Sequence, residues 1–125
     1  MIRKMLLSGL LASACIGCVS YHTPPMDRRV TVAPDLGTYI WVTDVRLAKG
    51  VSQHYTFQAN VVNNTSGIVK MEYKVVWLDA NGLEIPSVVS TWQPMSSAAR
   101  DIVGVTATAP SPDAVDFRFY VKVAR

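Results

Sequence analysis

VKMEYKVVWLDANG, residues 69–82, is the stretch that decides the fold. Val69, Met71, Tyr73, Val75 and Trp77 alternate with Lys70, Glu72 and Lys74. A period of two puts successive side chains on opposite faces, which is a strand with one face buried. Val75-Val76-Trp77-Leu78 is apolar on both faces, as the far end of a central strand would be. Asp79-Ala80-Asn81-Gly82 then supplies an Asn-Gly pair, which favours a tight hairpin turn with positive φ.

Working outward, residues 83–85 return as a short strand that Pro86 stops, and residues 88–92 carry a weaker strand pattern. Residues 93–99 (QPMSSAA) read as loop, and residues 100–108 as another strand. Ala109-Pro110-Ser111-Pro112-Asp113 is a rigid turn. Val115, Phe117, Phe119, Val121 and Val123 then alternate with polar residues to form a final strand. Upstream, Asn63-Asn64-Thr65-Ser66-Gly67 is a turn cluster. Residues 51–61 alternate cleanly, with Val51, Tyr55, Phe57, Ala59 and Val61 on one face. In residues 39–47, Trp41, Val45 and Leu47 share one side while Ile40 and Val42 fall on the other and blur the pattern.

About seven short strands with no helical period predict an all-β fold, an antiparallel β-sandwich of immunoglobulin-like layout; a small β-barrel satisfies the same pattern. Phe57, Tyr73, Trp77, Phe117 and Phe119 are the expected core. The Cys–Trp–Cys spacing of antibody domains is absent.

The start of the chain carries different chemistry. In MIRKMLLSGLLASACIGC, Arg3 and Lys4 precede an apolar run that is too short to span a bilayer and that ends in small residues before a thiol. This is the layout of a bacterial lipoprotein signal. Cleavage is expected before Cys18, where Gly17 is the smallest residue available, with Cys15 as the alternative. Residues 1–17 would be the signal, residues 18–37 a lipidated cysteine and flexible tether, and residues 38–125 the domain. Val19 follows Cys18 in place of the aspartate typical of inner-membrane retention. The expected location is therefore the outer membrane of a Gram-negative envelope, facing the periplasm.

Removing seventeen of the 125 residues leaves 108, one domain's worth. The formal charge of +3 falls to +1 when Arg3 and Lys4 leave. Such a balance predicts no nucleic-acid partner. With Cys15 removed and Cys18 acylated, neither a disulfide nor a free thiol remains, so packing must supply the stability.

Tyr73-x-x-x-Trp77-x-Asp79-x-x-Gly82, preceded by Asn63-Asn64 and followed by Pro94 and Ser96-Ser97, resembles the YcfL-type family of small bacterial envelope lipoproteins. The likeness runs from about residue 38 to the C-terminus and includes the signal. Cys15 stands where that family has a leucine-like residue. The resemblance implies a periplasm-facing, immunoglobulin-like sandwich on a lipid anchor; it brings no assigned activity and no catalytic residues.

Side-chain chemistry agrees with a non-enzymatic expectation. His22 and His54 have no cysteine to join them, so a Cys/His metal site is not predicted and no cofactor is expected. Ser96 and Ser97 have only His54 as a base, with Asp79 or Asp101 as orienter, and no nucleophile-elbow motif surrounds them. A surface is the sharper expectation. If the central and last strands are neighbours, Lys70, Lys74, Arg118 and Lys122 ring an apolar patch of Val76, Leu78 and Tyr120. The expected role is an interaction module for an envelope protein or cell-wall component. The alternative is a small-ligand or glycan-binding sandwich with Trp41 or Trp92 as a stacking platform.

Overall fold

The structure is a computed structural model that describes residues 26–125. The expected signal, both cysteines and the first part of the tether lie outside the described residues. Seven strands form two sheets that share no ladder, a β-sandwich and not a closed barrel: β1 (Val30–Val32), β2 (Ile40–Lys49), β3 (Tyr55–Asn63), β4 (Val69–Leu78), β5 (Gln93–Ser97), β6 (Ile102–Thr108) and β7 (Asp116–Val123). One sheet has the order β1-β7-β4-β5 and the other β2-β3-β6. All pairs are antiparallel except β1 with β7, which run parallel with Thr31 opposite Tyr120.

The expected aromatic core is the observed one. Phe57 from the three-stranded sheet lies 4.5 Å from Phe117 and 5.0 Å from Phe119 of the other, centroid to centroid. Trp77 meets Phe117 edge-on at 6.4 Å, and Tyr73 meets Phe119 at 5.9 Å. Tilted contacts of this kind add about 0.5–1.5 kcal/mol each beyond the area they bury.

Asp44 explains why the first long strand looked blurred. Ile40 and Val42 point into the core, the register then shifts between Thr43 and Arg46, and Val45 and Leu47 also pack against the core. A β-bulge adds one residue, so the inward set changes from even to odd positions. Asp44 takes φ 53°, a left-handed conformation that aspartate tolerates better than most residues. Trp41 is thereby left on the outer face, apart from Val45 and Leu47, and its indole N–H donates to the Thr38 carbonyl at 2.8 Å.

Four expected boundaries move. Residues 30–32 were assigned to the tether, yet they pair with β7, and Met26 and Leu36 pack on the core. Val51 belongs to a turn and is fully exposed, so β3 begins only at Tyr55. Residues 88–92 are loop, whereas residues 93–97, expected as loop, form β5. An edge strand tolerates Pro94, whose missing N–H would otherwise break a ladder. The 79–82 turn is held by Asp79, whose Oδ1 accepts the N–H groups of Asn81 and Leu83, with Gly82 at φ 81°. Beyond it the return strand reduces to a single bridge between Leu78 and Glu84.

Asn63 was expected in a turn cluster and is instead the fully buried last residue of β3. Its amide donates to the carbonyls of Gly67 at 2.9 Å, Ser97 at 3.1 Å and Ala98 at 2.9 Å. Its Oδ1 accepts from the Thr65 N–H and hydroxyl at 2.9 and 2.7 Å. One side chain thus ties the end of β3 to the end of β5 in the opposite sheet. Buried polar groups persist where every valence is used in this way.

Candidate partner-binding face

Because Met71, Val75 and Trp77 of β4 and Phe117, Phe119 and Val121 of β7 point inward, the alternate residues form the outer face of the four-stranded sheet. Its rows follow from the register: Leu78 beside Asp116, Val76 beside Arg118, Lys74 beside Tyr120, and Glu72 between Lys122 and Pro94.

The seven expected surface residues separate into groups. Lys74, Tyr120 and Lys122 come together, and Trp92, just before β5, joins them. Lys122 Nζ lies 4.2 Å and Lys74 Nζ 4.9 Å from the Trp92 ring centroid, with Lys74 also 5.7 Å from that of Tyr120. An ammonium over an aromatic face is worth about 0.5–1 kcal/mol where water still reaches it. Lys122 also meets Glu72 at 3.5 Å, while Lys74 has no carboxylate within 4 Å among the described residues. Lys70 is exposed beside Ser96, one row beyond Lys122 and two rows from Lys74 and Tyr120.

Val76 and Leu78 depart from expectation. They are only 8% and 9% exposed, so no apolar patch is centred on them. They lie at the end of β4 where the chain doubles back, with Asp79 N–H bonded to the Leu83 carbonyl and Ile85 N–H to that of Trp77. A run that is apolar on both faces is buried on both, and the aromatic component of the face is the exposed Trp92 with the half-buried Tyr120 instead. Alternation within one strand could not bring Trp92 to Lys74, because that contact depends on where β5 joins the sheet.

Arg118 belongs to a separate charge chain at the point where the polypeptide enters the fold. Asp27 meets Arg29 at 2.9 Å, Arg29 meets Asp116 at 3.5 Å, and Asp116 meets Arg118 at 3.3 Å. The Arg29 guanidinium also sits 4.5 Å over the Phe117 ring. The Arg29 hydrogen bond holds the Asp27 carboxyl down at about 2, and the same bond raises Arg29. Burial pushes Asp116 up, but the Phe117 N–H, Arg118 and Arg29 together outweigh it and hold it below the ordinary value. Sequence assigned Arg28-Arg29 to solvated tether; the Asp27-x-Arg29 spacing was the available signal.

The residues weighed for catalysis lie apart. His54 precedes β3 and its Nδ1 is 2.9 Å from the Ala109 carbonyl, a half-buried position in place of the open strand face expected. Ser97 lies beside Asn63 at the other end of β3, about 30 Å from His54 at the usual strand rise. Asp79 holds its own turn, and Asp101 accepts the Ile102 N–H. Among the described residues no three His, Cys, Asp or Glu side chains cluster as a metal site, and no helix is long and apolar enough to cross a membrane.

Two solved structures share the fold. A family member from Shewanella sp. pv-4 superposes with a TM-score of 0.64 at 21% identity, over 69% of this chain and 79% of its own. Campylobacter jejuni cj0090 also gives 0.64 at 21% identity, over 78% of this chain and 100% of its own. A search of curated proteins finds no match. The family model described as "Protein of unknown function (DUF1425)" matches residues 27–123, beginning at the Asp27 end of the charge chain and running almost to the C-terminus, and the chain belongs to that family.

Proposed function

We propose that this chain is a lipid-anchored envelope protein of the YcfL type that works by contact and not by catalysis, docking an envelope protein through the outer face of its four-stranded sheet. The observation that carries the proposal is the cluster of Trp92 and Tyr120 with Lys74 and Lys122. Tryptophan and tyrosine supply large contact area with few rotatable bonds, and such residues dominate binding energy at interfaces. The lysines favour a partner that offers carboxylates, and among the described residues none lies within 4 Å of Lys74.

Attachment shapes the reach of this face. With Cys18 acylated before Val19, the body is held at the outer membrane on its periplasmic side. Met26 already packs on the core, so Cys18 stands eight residue steps before the body, a span of at most about 29 Å. A partner must therefore be an envelope component close to the membrane. The charge chain from Asp27 to Arg118 fastens this span where it meets the body.

The test is co-purification from detergent-solubilised envelopes with the Lys74→Glu/Lys122→Glu chain beside wild type. The double variant is expected to keep its circular dichroism and a cooperative melt, at a somewhat lower melting temperature because the lysine–aromatic contacts and the Lys122–Glu72 pair are gone, while losing the proteins that accompany wild type. Identical companions on both would refute the assignment.

A further inference from the structure

The outer face of the opposite, three-stranded sheet carries a second site, independent of the face just described. Register places Trp41, Val62 and Ile102 in one row and Thr43, Asn60 and Gly104 in the next. Around Gly104 the sheet is hollowed into a groove of about 350 Å³ lined by Asp44, Arg46, Gln58, Asn60, Gly104 and Thr106. Sites for small molecules begin at roughly 300 Å³.

Three features of this groove bear on what it can hold. Gly104 sits inside a strand, where glycine costs about 0.5–1 kcal/mol relative to alanine. Its φ is not positive, and an added Cβ would meet nothing closer than Asn60 Oδ1 at 3.8 Å, an ordinary contact. The fold accepts a side chain there, and a mid-strand glycine without a backbone reason marks the close approach of another molecule. Asp44 is held at φ 53° by the bulge, which aims its carboxylate at the groove, where Oδ2 accepts from Asn60 Nδ2 at 3.1 Å and Thr43 Oγ1 at 3.3 Å. Among the described residues the exposed Arg46 and Gln58 make no side-chain hydrogen bond, so the groove presents donors and acceptors that a ligand can take over from water.

Ligand chemistry follows from this lining. Polar walls disfavour an apolar ligand, Asp44 and Arg46 bring one charge of each sign and so favour a ligand without net charge, and the groove itself has no aromatic wall for a nucleobase. A neutral polyhydroxylated ring satisfies both kinds of group, since each hydroxyl donates to Asp44 or Asn60 Oδ1 and accepts from Arg46 or Gln58. The neighbouring row is apolar, with Ile102 57% exposed and Trp41 half-buried. It lies about 7 Å along the strands, within reach of the next ring of a chain. We infer that the Gly104 groove and the Trp41 row together bind a flat, extended oligosaccharide, one ring over Gly104 and the next against Trp41.

The experiment is a titration of the full-length, nitrogen-15-labelled chain in detergent micelles with a linear β-1,4-linked N-acetylglucosamine tetramer, with the α-linked maltotetraose as comparison. Saturable amide shifts centred on Asp44, Gly104 and Thr106 are expected with the β-linked tetramer. Gly104→Val should weaken binding about tenfold or more without lowering the melting temperature, because valine suits a strand, the position is exposed, and a Cβ there meets nothing closer than 3.8 Å. Asp44→Asn, which tolerates the same φ, should weaken it similarly with the fold intact. Absence of saturation with the β-linked tetramer, saturation by the α-linked one alone, or binding unchanged in Gly104→Val would each overturn the inference.

Discussion

Asn63→Ala should remove the fastening between the two sheets. The variant loses two accepted and three donated hydrogen bonds of 2.7–3.1 Å and leaves the Ser97 and Ala98 carbonyls without that donor. A net bond contributes about 0.5–1.5 kcal/mol, and a buried group left unpaired costs about 1–3 kcal/mol. Part of the five-bond total is shared, since two amide hydrogens serve three carbonyls. A loss of about 3–5 kcal/mol follows, a large share of the roughly 5–15 kcal/mol that holds a domain together. Asn63→Asp has nearly the same shape but points a carboxylate at those three carbonyls, so the folded state raises its pKa above the unfolded value. Below the unfolded value, about 3.9, the group is neutral in both states and adds no charge penalty. The penalty grows as pH rises toward the folded value and is complete above it. Urea denaturation followed by tryptophan fluorescence at pH 4.5 and 7.5 separates the two variants: Asn63→Asp should be markedly less stable at the higher pH, and Asn63→Ala should shift little. An Asn63→Ala loss under about 1 kcal/mol, or an Asn63→Asp stability that ignores pH, would refute the reasoning.

Other expectations are independent of this one. Asp27 is held at about 2 in the folded chain, below its unfolded value, so its contribution is present above about pH 4 and lost as pH falls through 2. Asp27→Asn should therefore cost about 1 kcal/mol at pH 7, discounted because the pair is partly exposed, and nothing at the acid extreme by denaturation. Trp77→Ala empties the centre of the core and should cost about 3–5 kcal/mol in the same assay. Cys18→Ala should move the protein from the membrane fraction to the soluble periplasm on fractionation; retention with membranes would contradict lipid attachment at that cysteine.

What the sequence made legible was period-two burial. β4 and β7 were readable because one face is core and the other is not, and the five expected core aromatics do converge. β2 resisted because a bulge at Asp44 reverses inside and outside midway, which defeats any fixed period. β1 and β5 were missed because three residues in a parallel edge pair and five residues containing a proline carry almost no alternation; the rest of the sheet supplies their order. Asn63 looked like turn chemistry because its partners lie up to 35 residues ahead. The candidate face was half legible. Register brought Lys74, Tyr120 and Lys122 together, but strand pattern could not distinguish an outward apolar residue that is buried, as at Leu78, from an exposed one. Nor could it bring Trp92 onto the lysines.

Site-specific photo-crosslinking in living cells tests the central claim most directly. A photoreactive residue at position 120, on the Trp92 face, is compared with one at position 51, in an exposed turn outside both sheets. The account predicts a discrete crosslinked envelope protein from position 120 that disappears with Lys74→Glu/Lys122→Glu and is absent from position 51. Equal crosslinking from both positions, or none from position 120, would contradict it.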